Sequence, residues 1–158
     1  HVHDIDFAHW LMGPPHALYA RGTTGPSGSI DHVVATYTYD DGRYAQLEGG
    51  WALAAPWSFD MEITAHGERG TLGWALSRGD AIRFNHGGAA PEEIPCAGDA
   101  LQNQLDYFIE CIRAGRPVAR CSPNSTRISV NLSWLERRSV ETGKLVPLSD
   151  RLRAGWQE

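Results

Sequence analysis

The densest group of ionisable side chains in the sequence is its first line, with His1, His3, Asp4 and Asp6 followed by His9. An imidazole titrates near neutrality and can carry a proton to or from a hydroxyl. A carboxylate one helical turn away can hold the ring in one tautomer, and His3 with Asp6 has that spacing. The same residues suggest a second chemistry. His1, His3 and Asp4 could ligate a metal if the segment were a strand, because His-x-His then points both rings to one side. On a helix, residues two apart diverge. The plainest alternative is a solvated helix start whose acids suit the positive end of the dipole.

The elements that must position these residues can be read in order. Ile5, Ala8, Leu11 and Met12 recur at helical spacing over residues 3–12, and Gly13 with Pro14 and Pro15 ends the run. His3, Asp6 or Phe7, and Trp10 would share the opposite face. Residues 16–21 are a predicted strand and 22–28 a loop. Alternation over Asp31–Tyr39 sets Val33, Ala35, Tyr37 and Tyr39 on one face. Alternation over Arg43–Trp51 does the same for Ala45, Leu47 and Trp51. The Asp41-Gly42 link between them predicts a two-residue type I′ hairpin. A second hairpin follows, from Phe59 through the Gly67–Gly70 turn to Leu76. Short strands are expected at 81–84 and, at an edge, Glu93-Ile94.

After Ala100 the period changes to helical. Leu101, Leu105, Phe108, Ile109 and Ile112 form one stripe, ended by Gly115 and Pro117. Ser122-Pro123 is an N-cap followed by proline at the first helical position. Ile128, Leu132 and Leu135 give the next helix its apolar face, Gly143 caps it, and residues 145–148 could be a last strand. Strands joined by hairpins with helices at the ends predict an α+β fold. We expect one domain over 1–158, an open, mainly antiparallel sheet with helices packed on one face. The other face, with Tyr44, Gln46 and Glu48, would be solvated or meet a second subunit.

Composition narrows the functions. The chain has 158 residues, 42% hydrophobic and 21% charged, and a net charge of -5. Such a surface disfavours phosphate backbones and anionic lipid, so no nucleic acid and no membrane partner is expected. No apolar run approaches the ~20 residues of a membrane span. Three widely spaced cysteines cannot all pair within one chain, which favours a reducing, cytoplasmic setting. No G-x-G-x-x-G, P-loop or G-x-S-x-G pattern is present. Trp51, Trp57 and Trp74 could line a pocket for a sugar-like ligand, although sheet packing is the commoner use of such rings. No initiator Met heads the chain, so we read it as part of a larger protein or as processed.

Five segments, in order, are similar to one known family. His3–Gly13 resembles the helix that opens the C-terminal domain of the Gfo/Idh/MocA oxidoreductases, the glucose–fructose oxidoreductase and inositol dehydrogenase family. Tyr39–Ala45 resembles its first hairpin, and Ile63–Leu72 its "i-x-G-x-x-G-t-l" hairpin. Asn103–Pro117 resembles its helix ending in "g-x-x-p", and Ser139–Leu148 its closing "S-x-x-x-G-x-x-v-x-l". The resemblance implies an open-sheet domain of the dihydrodipicolinate reductase/glyceraldehyde-3-phosphate dehydrogenase C-terminal type. It implies a catalytic base at His3, and we expect His1, Asp6 and Trp51 to contact the substrate. NAD or NADP would be bound mainly by an N-terminal Rossmann domain outside this chain. The family's glycine-rich loop, its "E-K-P" lysine and an Asp one turn before His3 would also lie upstream.

The expected function is therefore the substrate-binding and oligomerisation domain of an oxidoreductase acting on a sugar, polyol or related hydroxy compound. It would be a homo-oligomer through the open sheet face, inactive alone, with no resident metal. Two other readings fit the same residues: a stand-alone dimeric binding module, and a small metal-dependent hydrolase or isomerase using His1, His3 and Asp4.

Overall fold

The computed structural model describes residues 1–79, 81–96, 98–150 and 152. Along the chain the elements are α1 (Val2–Met12), β1 (Ala17–Thr24), β2 (Ile30–Thr38), β3 (Tyr44–Gly50), β4 (Glu62–Gly67) and β5 (Gly70–Ala75). A 3-10 turn (Leu76–Arg78), β6 (Ala81–Asn85), β7 (Glu92–Pro95), α2 (Ala100–Arg113), α3 (Pro123–Thr142) and β8 (Val146–Pro147) complete it. The class is α+β and all strand pairs are antiparallel. The strands divide into two sheets, ordered β3-β2-β1-β8 and β4-β5-β6-β7. They fall in two compact units, His1–Ala54 with Val118–Glu158, and Ala55–Pro117.

The first unit holds the core. Alternation in β1, β2 and β3 drives Leu18, Ala20, Ala35, Tyr37 and Leu47 to one face of the sheet. That face packs with Ile5 and Ala8 of α1 and Ile128 and Leu132 of α3. The sequence expectation for α1 needs one change. Ile5, Ala8 and His9 are its buried residues, while Leu11 is half exposed. The opposite sheet face, with Tyr19, Val34, Tyr44, Gln46 and Glu48, stays open.

β1 runs to Thr24 rather than ending at residue 21, because β2 extends far enough to pair with it through Ile30. The β2–β3 connection also differs from a type I′ turn. That turn needs positive φ at both central residues, and Asp41 does not adopt it; Gly42 does, at φ 84. The Gly42 N–H instead donates to the Tyr39 carbonyl, and the Tyr39 N–H to the Arg43 carbonyl. The result is a three-residue link with glycine alone in the left-handed region. The Asp41 carboxylate braces it by accepting from the Arg43 N–H and Nε.

α3 starts as expected: the Ser122 side chain accepts from the Ser125 N–H, with proline at the first turn. Beyond Leu18, β8 no longer covers β1. There Ser139 of α3 takes over: its hydroxyl accepts from the Ala20 N–H and donates to the Lys144 carbonyl.

In the second unit, β7 forms at the expected edge and α2 is capped by Asp99. Alternation gives its sheet a face with Ile63, Ala65, Leu72, Trp74, Ile82 and Phe84. The expected α2 stripe is helical, yet Leu101, Leu105, Phe108, Ile109 and Ile112 are 42–71% exposed. Cys111 on the same helix is buried.

Candidate functional site

The candidate site is built where α1 lies on α3 in the first unit. Its polar groups come from opposite ends of the sequence. Glu136 falls on the apolar stripe of α3, one turn beyond Leu132, and only 3% of it is exposed. A carboxylate so placed must have its oxygens satisfied. Tyr37 of β2 donates its phenol to Glu136 Oε1 at 2.8 Å. His1 Nε2 lies 3.0 Å from Glu136 Oε2. The other ring nitrogen, Nδ1, is 3.4 Å from Asp4 Oδ2, a long contact between opposite charges rather than a good hydrogen bond. The ring fits because β3 carries glycine beneath it: a Cβ on Gly49 would lie 2.6 Å from His1 Nδ1.

These neighbours set the proton on His1. Burial alone would lower its affinity for a proton, but Asp4 and Glu136 outweigh burial and push the pKa up to about 9. His1 is therefore an imidazolium at neutral pH. Burial and the Glu136 charge push the Tyr37 phenol far up, so it remains a donor.

A second polar set lies further along α1. Ser129 Oγ donates to Asp6 Oδ1 at 2.6 Å and sits 3.2 Å from His9 Nδ1. The hydroxyl has one proton and Asp6 receives it, so His9 Nδ1 must carry its own proton and donate. Burial lowers the His9 pKa to about 4, against the pull of Asp6, and the ring is neutral at pH 7.

The sequence-derived residues separate accordingly. His1 and Asp4 come together with Glu136. Asp6, expected to steady the His3 ring, serves Ser129 and His9 instead, and no bond joins it to His3. His3 is on the exposed side of α1, and among the described residues no side-chain partner holds its ring. Phe7 and Trp10 share that side, their rings 5.8 Å apart. Trp51 directly follows β3, with 87% of its surface exposed. Among the described residues no group of three or more His, Cys, Asp or Glu could hold a metal. None of their helices is long and apolar enough to cross a membrane. The glycines at Gly67 and Gly70 are hairpin positions, not a phosphate cradle.

The sequence reading assigns no site role to Glu136, Tyr37, Ser129 or His9. A signal existed for three of them. Glu136 and Ser129 are polar interruptions in the Ile128–Leu132 stripe, and His9 lies one turn after Ile5 on the buried face.

Comparison with known proteins bears on the fold. Residues 1–73 match the family described as GFO/IDH/MocA C-terminal domain, which shows the resemblance over the first part of the chain. No curated protein sequence matches. Among solved structures, levoglucosan dehydrogenase in complex with NADH and L-sorbose superposes with a TM-score of 0.79 at 17% identity, over 94% of this chain and 48% of that one. Aldose-aldose oxidoreductase from Caulobacter crescentus, complexed with glycerol, gives 0.76 at 22% identity, over 93% and 45%. UDP-N-acetylglucosamine 3-dehydrogenase from Acidithiobacillus ferrooxidans gives 0.75 at 22%, over 89% and 46%. The fold is that of these oxidoreductases, and the chain spans about half their length.

Proposed function

We propose that this chain is the C-terminal, substrate-binding and oligomerising domain of an NAD(P)-dependent oxidoreductase acting on a sugar, polyol or related hydroxy compound. The observation that carries the reading is the two-sidedness of α1. Its inner face is tied to α3 by His1, Asp6 and His9, while His3, Phe7 and Trp10 face outward. An outward imidazole on an anchored helix is placed to meet a substrate held by another part of the protein. The match over residues 1–73 and the sugar-acting proteins of the same fold support it.

NAD(P) would be held mainly by residues outside this chain. When bound, the nicotinamide accepts or returns a hydride. His3 takes the hydroxyl proton in the oxidative direction and returns it in reverse. His1 and Asp6, first read as ligand contacts, spend their side chains on α3 and would support the site from behind. The exposed Trp51 ring is free to lie against a sugar face. The open sheet face with Tyr19, Val34 and Tyr44 is where a second copy would pack. Three free cysteines fit a reducing, cytoplasmic setting.

The test is to extend the chain along its reading frame and follow nicotinamide reduction over a panel of sugars and polyols. His3→Ala should lower kcat by about 10²–10⁴-fold, and the 158-residue chain alone should be inactive. Turnover by this chain alone, or undiminished kcat in His3→Ala, would overturn the proposal.

A further inference from the structure

We infer that Glu136 is a positioning residue for the proton-transfer helix: it holds the first turn of α1, and with it His3, through His1. This rests on the reading of His3 as the proton-transfer residue.

Packing does not explain Glu136. It lies on the stripe of α3 that otherwise carries Ile128 and Leu132, where an apolar residue would serve the core at no desolvation cost. Instead its carboxylate reaches two other elements, the Tyr37 hydroxyl on β2 and the His1 ring on α1. His1 is the N-cap of α1, and its side chain makes no capping bond. Its carbonyl, however, accepts from the Asp4 and Ile5 N–H groups at 3.0 and 3.2 Å. Fixing the His1 ring therefore fixes the carbonyl from which the helix starts. His3 sits inside that turn and has no side-chain partner of its own among the described residues. Its ring is placed by the backbone that Glu136 anchors. The Tyr37 bond braces the carboxylate, and the absent side chain at Gly49 leaves room for the imidazole.

Amide hydrogen exchange and histidine titration by NMR on the 158-residue chain test this without any enzymatic readout. Glu136→Gln should speed exchange of the Asp4 and Ile5 amides about tenfold relative to amides of β1. It should also bring the His1 titration down from about 9 toward its ordinary 6.5, with His9 unmoved. Ser139→Ala, which weakens the far end of α3, is the control: it should destabilise the chain without singling out the first turn of α1. The inference is overturned if Glu136→Gln leaves the His1 titration and first-turn exchange unchanged, or if Ser139→Ala loosens that turn equally. Should Glu136→Gln fail to fold, Tyr37→Phe removes one brace while keeping the ring. It should accelerate the same amides about threefold, and no acceleration overturns the inference. Loss of turnover in the longer protein reads the role of His3; exchange in α1 reads that of Glu136, so the two can fail separately.

Discussion

The tightest fit in the site is between Gly49 and His1, and it yields a quantitative expectation. In Gly49→Ala the new Cβ would lie 2.6 Å from His1 Nδ1 and 3.0 Å from its Cβ and Cγ. No real Cβ tolerates this, so the ring must leave. Its departure removes a charge-assisted hydrogen bond worth about 1.5–3 kcal/mol and leaves the buried Glu136 with the Tyr37 phenol as its remaining donor. Breaking a buried pair costs about 3–5 kcal/mol; because His1 is 16% exposed and water can reach the vacated space, the lower end applies. Gly49→Ala and His1→Ala should therefore each cost about 2–3 kcal/mol. They should not add. Once the ring is gone the contact left to the alanine methyl is the His1 Cβ position at 3.0 Å, which a small shift relieves, so the double variant should cost little more than His1→Ala alone. Urea unfolding of the four proteins closes the cycle, with a coupling energy of about 2 kcal/mol. Additive costs would refute the claim that Gly49 acts by making room for His1.

Two further outcomes follow from the same contacts. His1 binds its proton more tightly folded than unfolded, so its stabilisation is complete below pH 6.5 and lost as pH rises through about 9. His9 has the opposite sign: its folded pKa is about 4, so stability is lost as pH falls from 6.5 through 4. On these two groups stability peaks near pH 6.5, and unfolding midpoints measured across that range should show the alkaline slope vanish in His1→Ala. Ser129→Ala removes the hydroxyl beside His9 Nδ1 and a donor from Asp6, which should cost about 1–3 kcal/mol in chemical denaturation.

The elements were legible wherever one short-range rule decides them. Ser122-Pro123 marks the start of α3 because it satisfies orphan N–H groups locally, and alternation marks β2 and β3 because one face is buried. The β2–β3 turn was misread because Asp-Gly is compatible with two turn types, and the choice depends on whether Asp41 accepts a positive φ. The division into two sheets could not be read, since alternation says which face is buried but not which strand is the neighbour. Within the site, the prominence of His1, His3, Asp4 and Asp6 was visible from their density. Their partners were not, because Glu136 and Ser129 lie more than a hundred residues away and only tertiary packing brings them to α1. The pairing of Asp6 with His3 was misplaced for the same reason: Asp6 faces the Ser129 hydroxyl on α3, while His3 lies on the solvent side of α1.

The hydroxyl of Ser139 has a consequence beyond stability. A strand edge with unused N–H groups is a template on which another chain can add a strand. β8 covers β1 only at Ala17 and Leu18, and the Ala20 N–H beyond it is occupied by a side chain from α3 rather than by a neighbouring strand. A side chain can fill that position but cannot be extended by a further strand, so the ladder stops there. The last turns of α3 thus limit how far the sheet can grow, and fraying of that helix would expose the chain to edge-to-edge aggregation before the core itself opened.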